Sequence, residues 1–345
     1  MSIFSQVYVK RRVRNCGALM CAMMMVLVSW SASSQTLKMA TISPDGLAWM
    51  KQLRAAMKVV EQNTDGRVKF KLYPGGVQGD DFTVLRKMRI GQLQGGALAA
   101  GTLIRYYTDL QIYNLPLQFQ NFDEVDAVRA RMDQGIVDGI GSGGMHIFPL
   151  VETGFAYLLT KKPVTNPADL AQLKVWVPEG DPLGEQLVKL FKVSPVPLNI
   201  TDVLAALQTG LVDAVAVPPL VAIALQWHNH IDYMMDLPLM YIYSVLAIDG
   251  RAMKKISPAD QAAMAAVIDP LMQEIDALNR TDNLKAFDAI LNTGVERVTP
   301  TAADLIAWEA VAVDAVTAMV EAGEVTQPVL DEFDAVLAEH RERRP

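Results

Sequence analysis

Cysteine is almost missing from this chain of 345 residues, which contains only Cys16 and Cys21. Both lie in the first 34 residues, a segment that we expect to be removed. The remaining chain would then contain neither a disulfide bond nor a reactive thiol. Histidine is also scarce, and His228 and His230 are two positions apart, so they do not share a helix face. We expect no metal site there, because zinc would need further nitrogen or sulfur ligands.

Signatures of catalysis and of nucleotide binding are weak as well. Residues 139–144 (GIGSGG) match the letters G-x-G-x-x-G. The dinucleotide fingerprint needs a strand before this motif and an acidic residue about twenty positions after it, but here a helix-like segment precedes it and Lys161 and Lys162 occupy the distant region. No Ser/His/Asp set and no pair of catalytic carboxylates stands out. We therefore predict no cofactor and no enzymatic activity, with an enzyme or a purely structural protein as the lesser alternative.

The N-terminus has the pattern of a secretory signal peptide. Its basic region comprises Lys10, Arg11, Arg12 and Arg14. An apolar stretch covers residues 17–30, and the small residues 32–34 would permit cleavage before Gln35. The stretch is short for a membrane span, although an uncleaved anchor is the alternative. We predict export to the periplasm.

Acidic residues outnumber basic ones, with 38 Asp and Glu against 31 Lys and Arg. Removal of the signal peptide, which contains four of the basic residues, would change the formal net charge from −7 to −11. This balance favours solubility and argues against nucleic acid or an anionic membrane surface as a partner. The length allows two domains, and a hydrophobic content of 51% is sufficient for sizeable cores.

Strands and helices alternate between residues 170 and 219. An apolar run at 174–178 (KVWVP) ends at a proline, residues 183–191 have helical spacing, and Thr201 can cap a second helix. A second apolar strand follows at 211–217. This order predicts an α/β fold with parallel strands, in which ligands bind beyond the carboxyl ends of the strands. The ends of both strands should therefore face one site.

Residues 169–178 (DLAQLKVWVP) and 202–213 (DVLAALQTGLVD) resemble the DctP-type substrate-binding subunits of tripartite ATP-independent periplasmic (TRAP) transporters. Further matching segments follow the same order: 65–69 (DGRVK), 73–81 (YPGGVQGDD), 89–93 (RIGQL), 115–119 (LPLQF) and 161–164 (KKPV). The similarity extends over about residues 37–256. It implies an extracytoplasmic solute-binding protein that captures a ligand between two lobes and delivers it to TRAP-type permease subunits in the membrane.

The resemblance also implies a two-lobed periplasmic-binding-protein fold (type II-like), in which each lobe is a mixed sheet flanked by helices. A long helix near the C-terminus would brace both lobes. The chain would cross between lobes at residues 154–157 and return at 239–247, which makes a hinge. The expected boundaries are 1–34 for the signal peptide, 35–156 plus about 247–280 for lobe 1, 157–246 for lobe 2, and about 281–345 for C-terminal helices that brace both lobes.

Three positions depart from the family pattern. The family typically has an arginine, which binds the ligand carboxylate with two hydrogen bonds, where this chain has Trp176. A second position that is often arginine is Ala156, and a polar pair is replaced by Ala216 and Val217. Because positions that are polar in the family are all apolar in this chain, we expect a ligand with a large apolar part. The family includes a branch with hydrophobic pockets that works with a periplasmic helical-repeat protein, which would be a further partner.

The predicted ligand site combines residues from strand ends and adjoining loops. Its members are Trp49, Gln78, Asp81, Gly101, Thr102, Ala156, Trp176, Val177, Pro178, Val217, Pro218 and Tyr241.

Three alternatives concern the role of these residues. Another cation such as Arg105 could bind an organic acid in place of the missing arginine. Trp176 with Trp49 or Tyr241 could enclose a quaternary ammonium group through cation–π contacts. Finally, Trp176 could face the core of a lobe and not the ligand.

Overall fold

The computed structural model describes residues 34–343, so that the expected signal peptide lies, apart from Ser34, outside the described residues. Its strands are β1 (Gln35–Ala40), β2 (Val68–Tyr73), β3 (Gly95–Ala99), β4 (Met145–Ile147), β5 (Val151–Thr160), β6 (Lys174–Pro178), β7 (Ser194–Leu198), β8 (Ala214–Val217), β9 (Tyr233–Met235), β10 (Met240–Asp249) and β11 (Glu296–Val298).

Helices alternate with these strands along the chain. They are α1 (Ala48–Asn63), α2 (Asp81–Arg89), α3 (Phe122–Ser142), α4 (Pro167–Leu170), α5 (Pro182–Leu190), α6 (Val203–Thr209), α7 (Pro219–Ala224), α8 (Gly250–Met253), α9 (Pro258–Asn292), α10 (Ala302–Glu321) and α11 (Gln327–Glu342). Helix α1 shows why they form: Met50, Leu53, Met57 and Val60 recur at helical spacing and are buried.

The strands form a mixed sheet in the order β2-β1-β3-β10-β5-β8-β6-β7. Strands β1, β2 and β3 are parallel on one side, and β6, β7 and β8 are parallel on the other. The long strands β5 and β10 lie between these groups and pair with each other in antiparallel orientation. The α/β fold is thus confirmed. Residues 154–157, where we predict the first crossing, lie within β5, and residues 240–247 of the predicted return lie within β10.

Strand β5 is kinked at Gly154, which has φ of +114°. The register with β10 shifts at this point, between Ile242 and Tyr243. A β-carbon at Gly154 would lie 2.7 Å from the side-chain nitrogen of Asn283, so this position requires glycine both for its backbone angle and for space. Asn283 itself is buried, donates to the Thr153 carbonyl and accepts from the Leu220 amide. Helix α9 therefore connects β5 with the start of α7.

Several details differ from the sequence prediction. Strand β7 is not among the elements predicted from the sequence. Its sequence SPVPL contains two prolines, and it lies at the edge of the sheet, where a missing amide donor is tolerated. Thr201 does not cap α6: it lies in a 3-10 turn (Ile200–Asp202) before that helix, and the side-chain oxygen of Asn199 caps this turn by accepting from the Thr201 amide. Residues 139–142 of the G-x-G-x-x-G match belong to helix α3, which is incompatible with a strand-to-helix phosphate loop.

A buried ionic cluster ties β5 to the helices. Glu152 is fully buried, and its Oε2 accepts from Nη2 of Arg280 at 2.7 Å. Arg280 also pairs with Asp126 of α3, while Arg129 of α3 contacts Asp276 of α9 at 2.8 Å. Burial raises the pKa of the Glu152 carboxyl above its ordinary value, although Arg280 opposes this effect. The charge of Glu152 therefore depends on its arginine partner.

We predict that Arg280→Ala will lower the free energy of unfolding by about 3 kcal/mol or more, because it leaves the buried Glu152 carboxylate without its partner. Urea denaturation at neutral pH measures the change. The matched control is Arg54→Ala, which removes an exposed pair with Asp45 and should cost less than about 1 kcal/mol. Equal losses for the two variants would contradict the prediction.

Candidate functional site

A cavity of about 550 Å³ lies at the carboxyl ends of the parallel strands. The residues that follow β1, β3, β6 and β8 form one part of its wall, as expected for ligand sites in open α/β sheets. Residues of β10 and α9 form the opposite part. The volume is within the range of small-molecule binding sites. This cavity is our candidate ligand site.

Apolar side chains dominate the wall. They come from distant parts of the chain, and include Ile42, Leu47, Trp49, Leu53, Phe82, Leu98, Val151, Val175, Trp176, Val177, Val188, Ile200, Val217, Leu220, Val221, Leu225, Met240, Ile242, Val245, Leu246, Met272, Ile275, Leu278 and Met319. A ligand that fills this space will therefore contact mainly hydrocarbon.

Among the described residues that line the cavity, there is no lysine, arginine or histidine. The charged residues of the lining are Asp80, Asp81, Asp181 and Asp282. The Asp80 side chain caps α2 and accepts from Asn199 at 3.3 Å, and Asp282 lies 3.6 Å from the Lys285 ammonium. The cavity thus has a negative lining and offers no counter-ion to an anion.

Asp81 is the deepest of these carboxylates. Its side chain is buried, and Oδ2 accepts a hydrogen bond from the Ala99 amide at 2.8 Å. In the part of the chain that the structure describes, the buried Oδ1 has no hydrogen-bond partner. Burial raises the pKa of Asp81 to about 7, and the nearby charge of Asp80 adds to the effect. The carboxyl can therefore change its protonation state near neutral pH.

Amide side chains lie next to Asp81 in the wall. Asn114 donates to the Tyr241 carbonyl at 2.8 Å, but its buried Oδ1 has no hydrogen-bond partner in the described part of the chain. A β-carbon built on Gly101 would lie 3.7 Å from this oxygen. Gln111 donates to the Gly101 carbonyl at 3.4 Å. The turn that follows β3 is thus surrounded by polar groups within an otherwise apolar wall.

Trp176 lines the cavity, and only 8% of its surface is exposed. Its indole nitrogen donates to the Leu198 carbonyl at 3.0 Å, and its ring packs at 78° against Trp227 with a centroid distance of 5.1 Å. Because its single donor is engaged, Trp176 contributes an apolar ring surface and no free hydrogen bond. Trp176 is therefore both part of a buried cluster and part of the cavity wall.

Nine of the twelve residues predicted from the sequence line this cavity, namely Trp49, Asp81, Gly101, Thr102, Trp176, Val177, Pro178, Val217 and Pro218. The other three are placed elsewhere. Gln78 accepts from the Lys87 ammonium with both its carbonyl and its side chain. Ala156 is fully buried opposite Met240 in the sheet. The buried Tyr241 hydroxyl contacts Glu152 and Arg129. We exclude these three from the candidate site.

The positions of Arg105 and of Tyr241 bear on the two alternatives with a charged ligand, an organic acid and a quaternary ammonium compound. Arg105 is exposed, lies over the ring of Tyr106 and is not part of the cavity lining. A cation that binds an organic acid inside the cavity is thus not provided by Arg105. An aromatic cage would have to be formed without Tyr241, although Trp49 and Trp176 both line the cavity.

Other lining residues were missed by sequence reasoning. Met272, Ile275 and Asn279 belong to α9. Leu220, Val221 and Ala224 belong to α7, and Leu225 follows it. Helical periodicity identifies an apolar face but does not tell which neighbour that face contacts. Their role depends on long-range packing, so no local signal could have found them.

Two features are absent from residues 34–343: a membrane-spanning helix and a cluster of metal ligands. No helix in this range is both long and apolar enough to cross a lipid bilayer. Within the same range, no three His, Cys, Asp or Glu side chains are grouped so that they could hold a metal ion.

A cavity at the strand ends of a mixed sheet with two crossing strands defines the class of ligand-binding proteins, and comparison with known families identifies the family. Residues 39–322 match the model of the bacterial extracellular solute-binding protein family 7, DctP. This match covers most of the chain, and the chain belongs to this family. Members of the family are solute-binding proteins of transport systems.

A curated relative, a solute-binding protein of Roseobacter denitrificans, is 22% identical over 261 residues, which is 73% of this chain and 78% of the relative. A TRAP periplasmic solute-binding protein of Ralstonia eutropha with bound (S)-2-acetolactate superimposes with a TM-score of 0.80 at 19% identity, covering 88% of this chain and 99% of that chain. One from Pseudomonas putida with bound D-glucuronate has a TM-score of 0.72 at 22% identity, covering 89% and 96%. These similarities confirm the fold.

We predict that Asp81→Asn will stabilise the unliganded protein increasingly as the pH rises from about 4 to about 7. The folded protein holds the Asp81 proton more tightly than the unfolded chain, so the wild type loses stability over this range, by up to about 1.4 kcal/mol per pH unit, whereas asparagine does not titrate. Denaturant unfolding of both proteins at several pH values measures the difference.

The control for this series is Asp45→Asn, which removes an exposed carboxylate that pairs with Arg54. Its effect on stability should change much less with pH, since exposed ion pairs contribute little. A constant difference between wild type and Asp81→Asn across the range would refute the prediction.

Proposed function

We propose that this protein captures a ligand with a large apolar part in the cavity and delivers it to a TRAP-type permease in the membrane. One observation carries the proposal: the described cavity lining is mostly apolar and has no basic side chain. The related proteins cited above were crystallised with D-glucuronate and acetolactate, which are organic acids. The chemistry of the present lining favours a different ligand class.

Charge is the first argument against an organic acid. A carboxylate that enters the cavity would lose its hydration and would meet Asp80, Asp81, Asp181 and Asp282 without a cation. Burying an unpaired charge is strongly unfavourable, and like charges add to this cost. The residue in place of the expected arginine, Trp176, has its indole donor occupied by Leu198. Neither attraction nor hydrogen bonding is therefore available at that position.

Hydrophobic burial can replace the missing ion pair. Removing apolar ligand surface from water contributes about 25 cal/mol per Å², so roughly 200 Å² would contribute about 5 kcal/mol before the cost of association. A cavity of about 550 Å³ has room for a ligand of this size. Apolar contacts alone are thus sufficient for useful affinity.

The cellular setting follows from the family. A solute-binding protein of a TRAP system acts in the periplasm, which agrees with the export signal expected at the N-terminus. The two lobes, with the boundaries given in the sequence analysis, would close over the ligand around β5 and β10 by a hinge motion. The membrane permease subunits are the expected partners, and a periplasmic helical-repeat protein is a further one.

Mass spectrometry of an organic extract from the mature protein, purified without denaturation, identifies the ligand class directly. We expect a lipid-like molecule in near-stoichiometric amount. A small carboxylate, or a quaternary ammonium compound held between Trp49 and Trp176, would refute the proposal.

We also predict that Trp176→Arg will weaken binding of the apolar dye N-phenylnaphthylamine roughly tenfold, as expected from the loss of about 60 Å² of apolar contact. Dye fluorescence in a titration measures the affinity, and the melting temperature verifies that the variant is folded. Trp176→Phe retains an apolar ring and should bind within about threefold of wild type.

Arg105→Ala should leave affinity unchanged, since Arg105 lies outside the cavity; a loss of binding in this variant would revive the organic-acid alternative.

A further inference from the structure

Two buried polar atoms of the cavity wall have no hydrogen-bond partner among the described residues, and both are side-chain oxygens. Oδ1 of Asp81 and Oδ1 of Asn114 are buried and have no hydrogen-bond partner within the described residues. Both side chains line the cavity and adjoin the turn at residues 99–102: Asp81 binds the Ala99 amide, and Asn114 Oδ1 lies near Gly101. Leaving a buried polar atom unpaired costs about 1–3 kcal/mol. The site therefore lacks a hydrogen-bond donor.

The nearby side chains direct donors at the backbone. The Thr102 hydroxyl donates to the Ala99 carbonyl, the Trp176 indole donates to Leu198, and one N–H of the Asn114 amide donates to Tyr241. One N–H of Gln111 donates to Gly101. No described side chain donates to Oδ1 of Asp81. A bound ligand can provide this donor.

We propose that the ligand is an uncharged, largely apolar alcohol whose hydroxyl group donates a hydrogen bond to Oδ1 of Asp81. This inference rests on the proposed function, since it names the polar group of the apolar ligand. Asp81 would act as the anchor that fixes one end of the molecule, while the hydrocarbon part occupies the rest of the cavity.

A hydroxyl group suits Asp81 better than other polar groups do. It donates to the carboxylate form and accepts from the acid form, so it remains bonded in both protonation states. A ketone or ether can only accept, and an ammonium group suits only the carboxylate. The charged groups that face Asp81 are the neighbouring Asp80 and, elsewhere in the lining, Asp181 and Asp282, so no basic side chain of the described lining fixes Asp81 in its ionised form.

The test uses four compounds with one hydrocarbon chain: dodecanol, dodecyl methyl ether, dodecanoate and dodecylamine. Each displaces bound N-phenylnaphthylamine from the mature protein at concentrations below its self-association. At about pH 9, where Asp81 is a carboxylate, we expect dodecanol to displace the dye at a roughly tenfold lower concentration than the ether, which has no donor. Dodecanoate and dodecylamine should be weaker than dodecanol.

Lowering the pH provides a second readout that a merely structural role of Asp81 would not change. At about pH 5 the protonated Asp81 carboxyl can donate to the oxygen of dodecanol or to that of the ether. The preference for dodecanol over the ether should therefore fall to about threefold or less. In Asp81→Asn the amide oxygen can retain the bond to Ala99 and the amide nitrogen faces the ligand. This variant should show the small preference at both pH values. Asp81→Leu should show none.

The outcomes separate the two proposals. If the dye does not bind wild-type protein, the proposed apolar function fails, and the inference fails with it. If the dye binds but dodecanol is no better than the ether at high pH, or if dodecylamine or dodecanoate is the strongest competitor, the apolar function stands and the alcohol inference is overturned. Dye binding with no displacement by any of the four compounds overturns it as well.

Discussion

The bonds between helix α9 and the beginning of strand β5 hold the cavity wall in place. Arg280 neutralises the buried Glu152 carboxylate, Asn279 donates to the Glu152 carbonyl at 2.7 Å, and Asn283 donates to the Thr153 carbonyl at 2.7 Å. The same helix presents Met272 and Ile275 to the cavity. The Arg280–Glu152 bond is charge-assisted, and the two amide bonds add to it. Together they fix the position of the apolar surface of α9 relative to β5.

This arrangement also makes the two sides of the cavity unequal. At the crossing strands, Gly154 is held against Asn283 in a backbone conformation that other residues rarely adopt. Asn199 and Asp80, in contrast, share one long, partly buried hydrogen bond of 3.3 Å. Breaking this single bond costs less than breaking the buried ionic cluster. Any opening that admits a ligand should therefore separate Asp80 from Asn199 and leave the β5–α9 contacts intact.

The sequence predicted the α/β fold and nine residues that line the cavity, because strand ends and turns have local signatures. The sequence does not tell which of the two buried faces of a central strand borders the cavity. Tyr241 lies in β10 and Ala156 in β5, and both faces of these two strands are buried. Residue type therefore does not tell which face borders the cavity, and only packing decides it. The same limit applies to Arg105, whose exposure depends on the turn after β3. The raised pKa of Asp81 is likewise a property of burial and cannot be read from residue type.

Selectivity in such a site would come from the ligands that it binds unfavourably. A carboxylate ligand would meet negative charge and no cation, whereas a pure hydrocarbon would leave Oδ1 of Asp81 and Oδ1 of Asn114 desolvated and unpaired. Each unpaired oxygen costs about 1–3 kcal/mol, which corresponds to roughly tenfold or more in affinity. A site that provides mainly acceptors in an apolar wall therefore discriminates against anions by charge and against hydrocarbons by their missing donor. On the proposed function, Trp176 in place of the arginine typical of the family would change the ligand class only because no other described lining residue restores a positive charge.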